Sequence, residues 1–335
     1  MSVIEIIEAG PPDESALQFD ARGELRHLLT LKGLSRNRVA TLLDDAQSVV
    51  RPPGEPVARS DALRGVTVAN LFFEPSTRTR ASFDLAAQRL GADVLNLDVN
   101  TTSRKKGESI LDTIYTLQAM GVDIFVVRDA QAGVPAYIAR HVAGHVSILN
   151  AGEAHVSHPT QGLLDLLTIR QHKDSFGDLK VVIVGDVQHS RVARSAAEGL
   201  VTMGVGELCL VSPQALAPEP GTIPAEAKVL FDLDAGIRDA DVVMALRIQR
   251  ERIGNLDGVP DIDEYFARYG VSHERMKNAA PGAIVMHPGP MNRGIEIESS
   301  LADSPRSVIT QQVANGVAVR MAVLSTVTET LRAIG

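Results

Sequence analysis

The 335-residue chain has no tryptophan, 4% aromatic residues, one cysteine, and fewer basic than acidic side chains (33 against 41, formal net charge −8). Each shortage removes a class of function. Scarce aromatics leave no stacking platform for single-stranded nucleic acid, and a net-negative chain lacks the basic footprint of a duplex binder. One thiol, Cys209 in "ELCLV", cannot make a disulfide framework. It reads as a small core residue in a reducing, cytoplasmic setting. No apolar run approaches the roughly 18 residues that span a bilayer, and the acidic start "MSVIEIIEAGPPDES" is unlike a signal or transit peptide. The phosphate loop G-x-x-x-x-G-K-[ST] is missing, as is G-x-G-x-x-G after the apolar run "VVIVG". His155 and His158 find no carboxylate or thiol neighbours at zinc spacing. Neither a magnesium carboxylate pair nor a Ser-His-Asp arrangement can be read. No metal and no nicotinamide cofactor are therefore expected.

What is present is 44% hydrophobic sequence, enough to fill two ordinary cores. Apolar runs at 66–73, 93–97, 123–127, 146–150, 181–185, 207–212, 241–246 and 283–287 predict strands. Helix-period segments at 35–50, 78–90, 107–120, 134–142, 161–171, 191–203 and 273–279 fall between them, and a long last helix covers about 312–333. Strands with little inner alternation, separated by helices, predict an α/β chain of two doubly wound parallel-sheet domains. The polar "QHKDSFGDLK" at 171–180 marks the junction. The expected organisation is an N-terminal extension over 1–24, read as a mobile or docking arm, then domains over 25–172 and 173–311. The helix of 312–335 has no partner strand and is expected to return to the first domain. The stretch "IGNLDGVPDIDEY" reads as a long mobile loop.

In such folds ligands bind where strand C-termini lead into helices, and the unusual residues of this chain gather there. "FEPSTRTR" places Ser76, Thr77, Arg78, Thr79 and Arg80 at a strand-to-helix turn. A helix N-terminus with unpaired N–H groups, hydroxyls and arginines is a phosphate-grade anion site. Two arginines there oppose the helix dipole unless an anion balances them. "TTSRKKGES" adds Lys105 and Lys106, "VVRDA" puts Arg128 after a buried strand, and "HVSHPTQGLLDL" opens a helix with His158 and Gln161. In the second half, "GDVQHSR" carries Arg191, "LRIQRER" carries Arg247 and Gln249, and "HPGP" at 287–290 makes a rigid loop whose carbonyls suit an NH₂ group or ammonium. This inventory suits binding an activated phosphate compound and presenting a second small anion to it.

Taken together and in order, "FEPSTRTR", "KKGES", "HPTQGLLDL", "GDVQHSR", "LRIQRER" and "HPGPMNRG" resemble the aspartate carbamoyltransferase catalytic chain over about residues 27–330. The resemblance implies transfer of the carbamoyl group of carbamoyl phosphate to L-aspartate, in pyrimidine biosynthesis, without a cofactor. It implies that Ser76, Thr77, Arg78 and Thr79, with Arg128, grip the phosphate. Thr79, Arg128 and His158 would polarise the carbamoyl C=O, and Arg78 would stabilise the departing phosphate. Gln161 and the carbonyls of Gly289 and Pro290 would hold the carbamoyl NH₂. Arg191 and Arg247, helped by Gln249, would clamp the two aspartate carboxylates. Lys106 would come from a neighbouring subunit of a homotrimer with shared active sites. Arg80 would be structural support, paired with an acidic neighbour such as Glu74. The first segment resembles that of catalytic chains that assemble with a dihydroorotase-like partner; a regulatory chain is the other partner type to consider.

The chain departs from the family pattern in reading Thr102 and Ser103 beside the loop lysines, and Gly289 where many relatives have leucine. Ornithine carbamoyltransferase is the nearest alternative, but its proline loop normally carries cysteine. A non-catalytic anion sensor on the same fold would be expected to lack His158 or one of the arginines, and both are kept here.

Overall fold

The apolar runs assemble into two separate parallel sheets. The computed structural model describes residues 14–52, 54–97, 109–248 and 258–334. The chain divides into two units, 1–160 with 316–335, and 161–315. The division falls within the helices Pro159–Arg170 and Ile309–Arg332.

In the first unit β1 (Thr67–Phe72), β2 (Asp93–Leu97), β3 (Ile124–Asp129) and β4 (Ser147–Glu153) pair in the order β2-β1-β3-β4, all parallel. The helices Thr77–Arg89, Ile110–Ala119 and Val134–His141 make the crossovers. β3 and β4 are buried at every residue and β1 at all but its first, whereas β2 is a half-exposed edge. That is why the central strands read as unbroken apolar runs. Leu29, Leu71, Phe125, Val127, Ile114, Ile138 and Ile148 share one core, and burying each such side chain contributes about 1.5–3 kcal/mol. Ser109 caps the helix Ile110–Ala119 in a reciprocal box with Asp112. The end of the last helix belongs to this unit, as the lack of a partner strand predicts. There Arg320 lies over the Phe83 ring at 4.9 Å and donates to Gly316 O at 2.9 Å.

Part of the first segment is folded rather than mobile. Glu14–Leu17 forms one helical turn, and the fully buried Gln18 accepts from the N–H groups of Leu29 and Thr30 (2.9 and 3.0 Å) and donates to Lys32 O (3.1 Å). Arg22 then donates to Ala333 O (2.9 Å) and Thr330 O (3.2 Å), meeting two of the carbonyls that a helix C-terminus leaves unpaired. The expectation of a mobile arm fails for residues 14–24 because Gln18 supplies hydrogen bonds that a polar composition does not advertise.

In the second unit β5 (Lys180–Val184), β6 (Glu207–Val211), β7 (Lys228–Leu230), β8 (Val242–Ala245) and β9 (Ile284–Met286) pair in the order β7-β6-β5-β8-β9, again all parallel. β7 was not expected: its three residues are exposed or half-buried at the sheet edge and carry no apolar run. Two helix readings also change. The segment 273–279 gives only a single 3₁₀ turn, Arg275–Lys277, because the backbone is tied on both flanks, Val271 N–H to Glu296 O and Ala280 N–H to Ala240 O. Conversely, Ile262–Tyr269, whose first four residues were read as the end of a mobile loop, is a helix. Asp261 caps it by accepting from Glu264 N–H (2.9 Å), and Tyr265 and Tyr269, one turn apart, are buried in the core with Val211, Leu216 and Val271. Residues 253–257 of that same expected loop lie outside the described residues. Cys209 is buried among these side chains; burial, then its contact with Glu207 (Sγ to Oε1 3.3 Å), pushes its thiol up to about 11. That suits the core role expected of it.

Candidate functional site

Both sheets reverse their winding direction once, between β1 and β3 and between β5 and β8. Such a switch point opens a crevice at the strand C-termini, where flanking connections run to opposite faces. In the first unit β1 leads directly into Phe73-Glu74-Pro75-Ser76, and the helix starts at Thr77. Phe72 pairs with Arg128 across the ladder, so the "STRTR" turn and Arg128 are brought together at that crevice. Ser76 occupies the N-cap position with extended backbone (φ −158°, ψ 96°), yet its hydroxyl does not cap the helix. It donates instead to Thr79 Oγ1 at 3.0 Å, and Thr79 is buried while Thr77, Arg78 and Arg80 are exposed.

Arg128 is 7% exposed and held from two sides. Its Nη1 donates to Ala151 O at 3.1 Å and its Nη2 lies 3.2 Å from Glu74 Oε2. The Ala151 carbonyl is available because the β3–β4 register shifts between Val127 and Asp129. Val127 pairs with Asn150 but Asp129 pairs with Glu153, which leaves Ala151 and Gly152 opposite the single Arg128. Bulges of this kind re-aim side chains beside functional sites. Glu74 therefore pairs with Arg128, not with Arg80 as expected, and Arg80 is exposed on the helix. The carboxylate balances the charge that burial of a guanidinium makes costly.

β4 ends in the buried Glu153, which accepts from Gly133 N–H at 3.1 Å. Burial pushes its carboxyl well above the usual range, and the charges of Glu14 and Asp129 add to that. Five residues on, His158 is 4% exposed and stands immediately before the helix Pro159–Arg170.

The second unit repeats the pattern. β5 runs into Gly185-Asp186 and β8 into Leu246-Arg247, with Val184 paired to Ala245. Gly185 has φ +141°, and a Cβ there would lie 2.8 Å from Leu246 Cβ and 2.9 Å from Leu246 O. Only glycine lets the two strand ends approach this closely. The fully buried Asp186 accepts from His189 N–H (3.1 Å) and lies 2.9 Å from His189 Nδ1. Ser190 caps the next helix by accepting from Ala193 N–H at 3.1 Å. Arg191 is that helix's first residue and is 8% exposed; Arg247 is half-buried. This crevice therefore gathers two cations at its rim.

β9 delivers the "HPGP" loop, with a cis Gly289–Pro290 bond and φ +66° at Gly289. His287 is fully buried; its Nδ1 accepts from Gly289 N–H at 2.8 Å and its Nε2 lies 3.2 Å from Glu296 Oε1. Glu296 also accepts from Asn292 N–H. Gln161, 8% exposed, donates from Nε2 to Asp165 Oδ1 at 2.9 Å.

Ser76 to Thr79, Arg128 and His158 thus belong to the first unit, and Gln161, Arg191, Arg247, Gly289 and Pro290 to the second. Lys106 and Gln249 lie outside the described residues, as do Thr102 and Ser103. Glu74 was singled out only as a partner for Arg80, and Asp165 and Glu296 were not singled out from the sequence. Only Asp165 had a local signal, its one-turn spacing from Gln161. Among the described residues no group of three His, Cys, Asp or Glu side chains is placed to hold a metal, and no helix is long and apolar enough to cross a membrane.

Comparison with known proteins places these features in context. Residues 26–171 match the sequence model described as the aspartate/ornithine carbamoyltransferase carbamoyl-P binding domain. Residues 177–327 match that of the Asp/Orn binding domain. Among solved structures, the aspartate transcarbamoylase of Trypanosoma cruzi in complex with carbamoyl aspartate and phosphate is 30% identical. It superimposes with a TM-score of 0.77 over 94% of this chain and 98% of its own. The same enzyme in complex with N-(phosphonacetyl)-L-aspartic acid matches at 30% identity and TM-score 0.79, over 92% and 98%. The ornithine carbamoyltransferase of Thermus thermophilus matches at 26% identity and TM-score 0.79, over 90% and 99%.

Proposed function

The chain belongs to the aspartate/ornithine carbamoyltransferase family, and we propose that it transfers the carbamoyl group of carbamoyl phosphate to L-aspartate. The products are N-carbamoyl-L-aspartate and phosphate, in pyrimidine biosynthesis. Membership makes the protein a transferase of carbamoyl groups; the choice of aspartate over ornithine is the proposal. The observation that carries it is the pair of arginines, Arg191 after β5 and Arg247 after β8, at one switch point. Two carboxylates call for two guanidinium groups, and ornithine has one carboxylate. The solved aspartate transcarbamoylase complexes support the same choice by analogy.

In this reading Ser76, Thr77, Arg78 and Thr79, with Arg128, bind the phosphate at the N-terminus of the helix Thr77–Arg89. That is where backbone N–H groups and the dipole favour an anion. Thr79, Arg128 and His158 donate to the carbamoyl oxygen as the carbonyl carbon becomes tetrahedral. Removing one such donor typically costs about 10²–10³ in turnover. Gln161 and the carbonyls of Gly289 and Pro290 receive the carbamoyl NH₂. Arg191, Arg247 and Gln249 hold aspartate so that its neutral amine faces that carbon, and orientation of two bound reactants supplies much of the rate. The C–N bond forms, the C–O bond to phosphate breaks with Arg78 countering the new charge, and the departing phosphate takes the amine proton. Lys106 of a neighbouring subunit completes the site in a homotrimer.

Initial rates of carbamoyl transfer with aspartate and with ornithine at equal concentrations test the reading. Turnover with aspartate is expected. Arg247→Ala is expected to raise KM for aspartate while phosphate still binds. Faster turnover with ornithine would overturn the choice of acceptor, and inactivity with every acceptor would favour a sensor.

A further inference from the structure

Three amide and carboxylate side chains of the second unit form a buried chain whose direction is fixed at one end. The backbone N–H of His287 donates to Gln312 Oε1 at 3.0 Å. An N–H requires an acceptor, so the oxygen of Gln312 must face His287 and its nitrogen must face the other way. That nitrogen donates to Asp165 Oδ1 at 2.7 Å. The same Oδ1 receives Gln161 Nε2 at 2.9 Å. Gln312 and Asp165 are each 1% exposed and His287 is fully buried, so water does not substitute for these bonds. With one N–H of Gln161 committed to Asp165, the amide is held with Oε1 on the side away from that carboxylate. At the other end of the chain His287 accepts from Gly289 N–H and so sets the start of the proline loop.

We infer that Asp165 is a positioning residue that locks Gln161 with Oε1 outward, so that the site accepts hydrogen bonds from the substrate's NH₂ group and rejects isosteres lacking it. The inference rests on the assignment of Gln161 to the carbamoyl NH₂. Asp165 and Gln312 do not touch the ligand; they act through Gln161 and through the loop that His287 anchors. One carboxylate oxygen, Oδ1, accepts from both glutamines. Since His287 fixes the nitrogen of Gln312 toward it, any residue there that keeps an oxygen in this place keeps the lock. A leucine, similar in size to aspartate, removes the acceptor. The Gln161 amide is then free to turn over and present its NH₂ to the substrate's NH₂, a donor facing a donor.

The experiment compares binding of carbamoyl phosphate, acetyl phosphate and inorganic phosphate to the full-length protein. Acetyl phosphate replaces the NH₂ by a methyl group of nearly the same size. Wild type is expected to prefer carbamoyl phosphate over acetyl phosphate. Asp165→Leu is expected to weaken carbamoyl phosphate about tenfold while acetyl phosphate and inorganic phosphate are unchanged, so the discrimination collapses. Gln312→Met, which leaves Asp165 in place but removes its second donor and the tie to His287, is expected to lose discrimination in the same direction. In a Gln161→Leu background Asp165→Leu is expected to change nothing further.

If Asp165→Leu weakens all three ligands equally, or adds its full effect to Gln161→Leu, the residue is merely structural and the inference falls. Unchanged discrimination in both Asp165→Leu and Gln312→Met overturns it as well. Absence of discrimination in wild type fails earlier, at the assignment of Gln161, and takes the inference with it. A variant that does not fold is recognised by loss of inorganic phosphate binding, and the Gln312→Met arm then decides.

Discussion

His27 is 1% exposed and accepts the N–H of Ile148 on its Nδ1 at 2.9 Å. Burial, and secondarily the Arg26 guanidinium, lowers its pKa to about 3. An unfolded histidine titrates near 6.5, so between these values the unfolded chain binds a proton that the folded chain refuses. The contribution of neutral His27 is therefore complete above about pH 6.5 and is lost as pH falls toward 3. The urea midpoint should drop across that window. His27→Asn keeps an acceptor near the Nδ1 position without titrating and is expected to flatten the drop; an unchanged slope would assign the acid sensitivity elsewhere. Glu153 works in the opposite sense. Its raised pKa makes its share of stability complete below the usual carboxylate range and progressively lost as pH rises above it. None of this was legible in the sequence, where His27 and Glu153 are ordinary residues. Their titration is set first by burial in the folded chain and then by neighbouring charges, Arg26 for His27 and Glu14 and Asp129 for Glu153.

At the scale of elements, each crevice depends on two adjacent parallel strands ending together. Gly185 is the tightest point, because Leu246 leaves no room for a Cβ and φ is +141°. Gly185→Ala is expected to lose about 2–5 kcal/mol, from backbone strain and forced separation of β5 and β8. It should also raise KM for the acceptor, since Arg247 follows Leu246 directly. Thermal melts and steady-state kinetics check both, and a melt within 1 °C of wild type would contradict the crowding argument. The strands that bound the crevices were legible because both faces of their sheet are covered, which writes them as continuous apolar runs. The edge strand β7 and the helix Ile262–Tyr269 were not. β7 buries too little to leave a pattern. The helix announces itself only through Tyr265 and Tyr269, one turn apart within polar sequence.

For the molecule as a whole, the reading of a shared active site makes a prediction that no single chain can meet. If Lys106 and Arg128 serve the same site from different subunits, Lys106→Ala and Arg128→Ala are each expected to be inactive alone. Mixed, dissociated and reassociated, they should regain activity, because some interfaces then carry neither substitution. Assay of the remixed sample checks this; persistent inactivity alongside confirmed subunit exchange would place both residues in one chain's site. Sizing of the intact protein should return three copies of the chain.

The sequence by itself determined the alternation of buried strands and helices, the two-sheet architecture, and the placement of hydroxyls and arginines at strand-to-helix turns. These follow from local periodicity and from the rule that parallel strands deliver their ends to one rim. Tertiary structure alone decided the pairings. Glu74 neutralises Arg128 rather than Arg80 because a bulge in β4 turns the Ala151 carbonyl toward that guanidinium. Asp165 receives Gln312 from 147 residues away. A bond across that separation leaves no trace in either local stretch, because what joins the partners is the packing of the core between them.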